Sequence, residues 1–311
     1  MRPRDRQRAA QIARILQHYE RNIRPLPGLA GHSRQVFVEQ LFESIHRVDY
    51  VRTICRRAVS SVAADPTRDS YNPIKAAIVE MRRGNIDEAF WQVFLSVHFG
   101  KNLRTGWRYV ADIYGALAGP QPWTWVRVSA DPNGFREWLH DSIPIIRNDG
   151  IQRHFGNHRK YISIDAWIPA GTGAAVETYC HWVLDHGDHS GLIADATLRF
   201  GPDTTNIFAG LYAEMEVASF GRMAKFDYLT MVGKLGLAAI QPGSLYLQGA
   251  TGPVAGARLL FGGRTNALIP LRVLDAYAMD LAKRLNVGAQ EMEDALCNWQ
   301  KNPRRFIRYR G

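Results

Sequence analysis

The stretch NIDEAFWQVFLSVHFGKN, residues 85–102, decides the fold class. Phe90, Val93, Phe94 and Val97 stand at i, i+3, i+4 and i+7, the spacing of one apolar helix face. Asn85 with Glu88 three residues on reads as a capping box, and Gly100 as the helix stop. The same period recurs in Val176, Tyr179, Cys180 and Val183, and in Phe208, Leu211, Tyr212 and Met215. A longer stripe follows in Leu271, Leu274, Ala278, Leu281 and Leu285, with Pro270 suited to a first turn. Strand alternation is scarce, Trp125-Val-Arg-Val128 being the one tempting case. Gly119-Pro120, Asp131-Pro-Asn-Gly134, Asn148-Asp-Gly150 and Gly201-Pro202 punctuate the chain into helix-sized pieces. The expectation is an all-α fold without internal repeats.

Charge is concentrated at the two ends. Residues 1–14 hold Arg2, Arg4, Arg6, Arg8 and Arg14 against Asp5, and residues 301–311 hold Lys301, Arg304, Arg305, Arg308 and Arg310 without an acid. Together they carry +9 of the formal +10, so residues 15–300 are nearly neutral. Basic ends on a neutral body suit a partner that is a polyphosphate, although solvated tails share that composition. The apolar runs fall far short of the ~18 residues a membrane span needs, and the first residues lack the apolar stretch of a secretory signal. Three cysteines far apart, Cys55, Cys180 and Cys297, cannot supply an iron–sulfur cluster or a Cys-rich zinc site. A cytoplasmic protein is expected.

Four stretches are dense in polar, glycine and aromatic residues: 98–104, 155–161, 220–228 and 249–253. His98, Lys101, Asn102 and Arg104 gather at the end of the first helix, where a basic cap is also an ordinary feature. Asn157, His158, Arg159 and Lys160 lie between Phe155 and Tyr161, and interleaved cations and rings can hold phosphates while stacking a base. In the third, Gly221 sits between apolar segments, which gives a helix, a tight turn and a second helix, with Arg222 and Lys225 near the turn. Asp227 lies among Lys225, Phe226 and Tyr228. A carboxylate there can stabilise the positive charge that builds on a sugar when an N-glycosidic bond breaks, although a lone helical Asp is more often an ion-pair partner. The run from His181 through Asp185, His186 and Asp188 to His189 matches no zinc spacing and reads as a helix end.

The wording AFWQVFLSVHFGKN, FGNHRKYISID, FGRMAKFDYLTMVGKLGLAAIQPGSLYLQGATGP and AGARLLFGG resembles a bacterial family of α-glutamyl/putrescinyl thymine pyrophosphorylases, over roughly residues 36–263. Members look like distant relatives of helix–hairpin–helix DNA glycosylases, and some excise glucosylated 5-hydroxymethylcytosine from phage DNA in antiviral defence, leaving abasic sites. The resemblance implies that activity here. It likens AFWQVFLSVHFGKN to the helix lining the base pocket, which implies His98 and Lys101 near the target, and SFGRMAKF to the hairpin, with Gly221 and Arg222 at the turn. In such glycosylases the catalytic Asp lies about two dozen residues past the hairpin. The matching position is near Gln241, which cannot act as a carboxylate. Either the alignment slips, or another acid such as Asp227 takes the role, or positioning and electrostatics suffice.

The resulting expectation is two helical lobes flanking a cleft. Residues 1–35 form a basic arm, 36–264 the glycosylase-like unit, and 265–311 C-terminal helices and a basic tail packed on it. Asp227 is the expected catalytic carboxylate. His98, Lys101, Asn157, His158, Tyr161, Phe226 and Gln241 are expected at the base pocket, with Phe99 and Trp107 as further lining. Arg104, Arg159, Lys160, Gly221, Arg222 and Lys225, with Arg153, are expected on phosphates. The protein is expected to act as a monomer on DNA, without membrane, metal or organic cofactor. The other readings are an enzyme that displaces pyrophosphate in making hypermodified thymine, and a non-catalytic reader of altered DNA.

Overall fold

A computed structural model describes residues 3–159 and 161–308, with backbone alone for 3–5. Arg2, Lys160 and Arg310, and the Arg4 side chain, lie outside the described residues. Among those described the protein is all-α. Fourteen helices follow one another: α1 (Pro3–Asn22), α2 (Ser33–Arg56), α3 (Pro73–Arg82), α4 (Ile86–Phe99), α5 (Arg108–Tyr114), α6 (Trp125–Ala130), α7 (Pro132–Asn148), α8 (Thr172–Leu184), α9 (His189–Phe200), α10 (Thr204–Glu214), α11 (Arg222–Leu235), α12 (Gly252–Gly262), α13 (Leu271–Arg284) and α14 (Ala289–Trp299). No helix among the described residues is long and apolar enough to cross a membrane.

The chain divides into two compact units: residues up to Arg52 together with those from Pro242 on, and Thr53–Gln241. In the first, the stripe Leu274, Ala278 and Leu281 is fully buried against Leu16, Phe37, Leu41, Leu260 and Leu296, with Phe37 and Trp299 edge to face at 5.1 Å. Gly28 is obligatory there, since a Cβ would lie 2.2 Å from the Leu259 carbonyl oxygen. At the basic ends, Arg6, Arg8 and Arg14 are exposed, while Arg308 is held by Glu43 at 2.8 Å.

The second unit is organised around α4. Every residue from Ala89 to Phe99 is buried, so α4 is covered all round, and it is enclosed by α3, α5, α6, α9 and α11. Its start departs from the sequence reading. Asn85 makes no side-chain cap, and its amide donates instead to Glu80. Glu88 accepts from the Trp125 backbone N–H at 2.6 Å and from Gln92 at 2.9 Å, so a tertiary donor outcompetes the local box. Burial pushes the Glu88 carboxyl up to about 7. Trp125–Val128 is helical, in α6. Asp131 caps α7 by accepting from the Gly134 N–H at 2.8 Å, with Pro132 in the first turn.

Candidate functional site

Three of the polar, glycine-rich stretches meet at the C-terminal end of α4. A helix end leaves its last carbonyls without intrahelical donors, and here the 155–159 turn supplies them. The Gly156 N–H donates to the Phe99 carbonyl at 2.7 Å, and Arg159 Nε donates to the Val97 carbonyl at 2.7 Å. This needs glycine on both sides. Gly100 has φ +66°, and a Cβ on Gly156 would lie 2.8 Å from the Gly100 backbone carbon. Phe155 stacks on Phe99 at 5.4 Å.

Arg159 reaches onward from that cap. Its terminal nitrogen pairs with an Asp227 carboxylate oxygen at 3.0 Å. The Arg159 side chain is 8% exposed and that of Asp227 41%, so a buried cation orients a half-exposed carboxylate on α11. The guanidinium that the sequence offered to phosphate is therefore committed inside the protein. Arg153 is likewise committed, to Asp112 and Asp149, with a side chain 3% exposed.

His98 lies under this corner, fully buried between Phe94 and Phe220, whose rings are nearly parallel to it. Its tautomer follows from its neighbours. The Thr172 hydroxyl donates to the Ser163 carbonyl, so it accepts from His98 Nε2–H at 3.0 Å. Nδ1 is left as a buried acceptor with no partner. Burial first, and then the Arg159 charge, push His98 down to about 3, so it is neutral at physiological pH. It braces the corner and faces no solvent. Phe226 is 1% exposed and packs on Phe208 as core rather than as an open pocket wall.

A second polar array crosses the same unit and went unnoticed in the sequence. His189, fully buried at the start of α9, donates from Nδ1 to Asp87 at 2.6 Å. Its Nε2 accepts from the Tyr179 hydroxyl at 2.7 Å, and that oxygen accepts from Tyr228 at 2.8 Å. The hydrogen bond from His189 holds the Asp87 carboxyl below its usual range, and burial pushes the His189 imidazole below its ordinary value against the opposing pull of Asp87. The array joins α4, α8, α9 and α11 and ends beside Asp227. The rest of that histidine run does not gather: His181 is exposed, and His186 pairs with Asp195 at 3.3 Å.

On the other side of the α4 end a cavity of about 460 Å³ is lined by Tyr71, Lys101, Trp107, Arg108 and Asp112, among others. Lys101 is exposed at this wall. Asn157, His158 and Arg104 are exposed nearby in sequence to these loops, and Tyr161 is 89% exposed. Lys160 lies outside the described residues.

The link between α10 and α11 is the seven residues Met215–Gly221, longer than the tight glycine turn expected from the sequence. Gly221 caps α11 with open space where a Cβ would be. The Arg222 guanidinium lies 5.2 Å from the Phe226 ring, and Lys225 Nζ donates to the Tyr212 carbonyl at 3.4 Å. Gln241 is exposed, its N–H donating to Thr204. The fourth stretch, 249–253, opens α12 in the other unit.

A family model described as alpha-glutamyl/putrescinyl thymine pyrophosphorylase clade 3 matches residues 32–311. The chain belongs to this family. The match agrees with the resemblance carried by the four quoted segments between residues 36 and 263, and the family is named for an enzyme of modified-base metabolism. Comparisons with curated proteins and with solved structures returned no match.

Proposed function

We propose that the protein is a DNA N-glycosylase that hydrolyses the bond between deoxyribose and a hypermodified base, glucosylated 5-hydroxymethylcytosine, in phage DNA, in antiviral defence. The observation that carries this reading is the half-exposed Asp227 carboxylate, held in one orientation by a buried arginine. As the C1′–N bond breaks, its electron pair leaves with the base and positive charge builds on the sugar. A fixed carboxylate stabilises that charge, and water supplies hydroxide to C1′ and a proton to the base. Extruding the nucleotide costs a few kcal/mol of unstacking. The cavity beside Lys101, whose lining does not include Asp227, falls within the usual range of ligand pockets, about 300–1,000 Å³, and is large enough for a base with a bulky substituent. Lys101 and Arg104 stand exposed for phosphates.

The test is incubation of the protein with phage DNA bearing glucosylated hydroxymethylcytosine and with unmodified DNA, assaying free base and abasic sites. Abasic sites in the modified DNA alone, lost in Asp227→Asn with binding retained, support the reading. Intact DNA in both tubes overturns it.

The family match supports a second reading, displacement of pyrophosphate from a thymine carrying an activated methylene group. That reaction also expels an anion from a carbon that gains positive charge, so the same carboxylate serves. Release of pyrophosphate rather than base from such a substrate distinguishes it. A non-catalytic reader of altered DNA would bind and release neither.

A further inference from the structure

We infer that Leu103 is a wedge that enters the duplex when a nucleotide is extruded. This rests on the reading of DNA as partner, though not on the chemistry done there. Leu103 is 68% exposed, one of several exposed large apolar side chains, with Leu198 at 85% and Leu268 at 92% more exposed still. A lone exposed leucine is ordinary on a loose loop, but this loop is locked. Asn102 N–H donates to the Gly106 carbonyl and Gly106 N–H to the Asn102 carbonyl, both at 3.0 Å. The Asn102 side-chain oxygen accepts from the Arg104 and Thr105 N–H groups at 2.9 and 3.1 Å, and its amide donates to the Phe155 carbonyl at 3.0 Å.

The turn is thereby fastened to the 155–159 segment that holds Asp227. It presents one apolar side chain at its tip, with Lys101 and Arg104 exposed on either flank. An apolar group held rigidly between cations suits insertion between stacked bases while the flanking charges meet the two phosphates beside the gap. Ordering is done in advance, so little conformational entropy is lost on insertion. Sequence gives no hint of this, because Leu103 reads as one more apolar residue after a helix.

The experiment uses the full chain and a duplex with a tetrahydrofuran abasic site flanked by 2-aminopurine, which needs no modified base and no turnover. Wild-type protein should change the 2-aminopurine fluorescence on binding. Leu103→Ala should abolish that change and weaken binding to the abasic duplex about tenfold or more, the factor expected for losing a buried leucine side chain, with binding to fully paired duplex little altered. Leu103→Met should restore the signal. Thermal melting of both variants should match wild type, since the side chain is exposed. A bound wild-type protein that leaves the fluorescence unchanged, or a Leu103→Ala variant with the full change, overturns the inference. A Leu103-dependent change without base release on modified DNA would instead break the glycosylase reading and leave the wedge standing.

Discussion

Arg159→Met is the substitution that best separates support from chemistry at the α4 corner. Methionine keeps most of the side-chain volume and removes the links to the Val97 carbonyl and to Asp227, together with a long one of 3.4 Å to the His158 carbonyl. The Val97 carbonyl loses its donor while remaining covered, which costs about 1–3 kcal/mol. Asp227 is half-exposed and regains water, so the ion pair itself adds only about 0–1 kcal/mol. The expected loss is therefore about 1–4 kcal/mol, which at a urea dependence of about 1–3 kcal/mol per M lowers the midpoint by roughly 1 M. Tryptophan fluorescence is a suitable probe, because seven of the eight tryptophans fall in Thr53–Gln241 and Trp299 alone lies outside it. Arg159→Lys should fall between, as a single ammonium lacks the fork that spans two acceptors. Asp227→Asn leaves a buried guanidinium without its counter-charge yet keeps an acceptor oxygen, so its cost should be smaller than that of Arg159→Met. A midpoint for Arg159→Met within about 0.2 M of wild type would refute the view that this arginine ties the 155–159 turn to α4 and α11.

Three other outcomes follow from the same geometry. His98 keeps a depressed pKa of about 3 in the fold against its ordinary 6.5, so the unfolded chain binds the extra proton between those values. Stability should be full above pH 6.5 and fall as pH drops toward 3, and His98→Gln should flatten that acid slope in urea titrations run at several pH values. Tyr179→Phe removes the middle of the buried array and orphans both His189 Nε2 and the Tyr228 hydroxyl, whereas Tyr228→Phe removes only the last donor. The first should cost about 2–4 kcal/mol and the second clearly less, a ranking that chemical denaturation checks. Gly156→Ala should be strongly destabilising because a methyl meets the Gly100 backbone, while Gly221→Ala, whose methyl meets open space, should cost at most the ~1 kcal/mol of a poorer helix cap and, on the phosphate role expected from the sequence, weaken DNA binding.

Helix content was legible because its determinants are local. The stripes in α4 and α8 name buried positions residue by residue, and that in α13 does so for four of its five, Leu271 being only partly buried. Trp125-Val-Arg-Val128 shows how a short pattern misleads: Trp125 and Val128 are buried and Val126 is 78% exposed, a spacing of three that four residues barely distinguish from alternation. The failure of the Asn85–Glu88 box has a different cause. The competing donor, the Trp125 N–H, is 37 residues away and is visible only after α6 has packed.

The candidate site divides along the same line. Each of the three stretches was recognisable from its own mixture of glycine, rings and charge, but their meeting depends on a backbone approach between Gly100 and Gly156, and nothing local encodes which glycine will be approached by what. Once that approach is fixed, roles change sign. Arg159 looks like a surface cation in its own stretch, yet the helix end it caps lies 62 residues earlier and the carboxylate it holds 68 residues later. His98 looks like a polar contact and is instead a neutral strut. His189 looks like the end of a helix, and its partner Asp87 is 102 residues away. Buried polar groups must find partners wherever the fold brings them, so the residues most distinctive in composition became the ones that join the helices. Around them Lys101, Leu103 and Arg104 stay exposed and Asp227 half-exposed, and these are the side chains to which the proposed function assigns the ligand. A reaction carried out at this corner would therefore draw its precision from the buried arginine, histidine and tyrosines, and its contacts from a handful of side chains whose isolated sequence context is unremarkable.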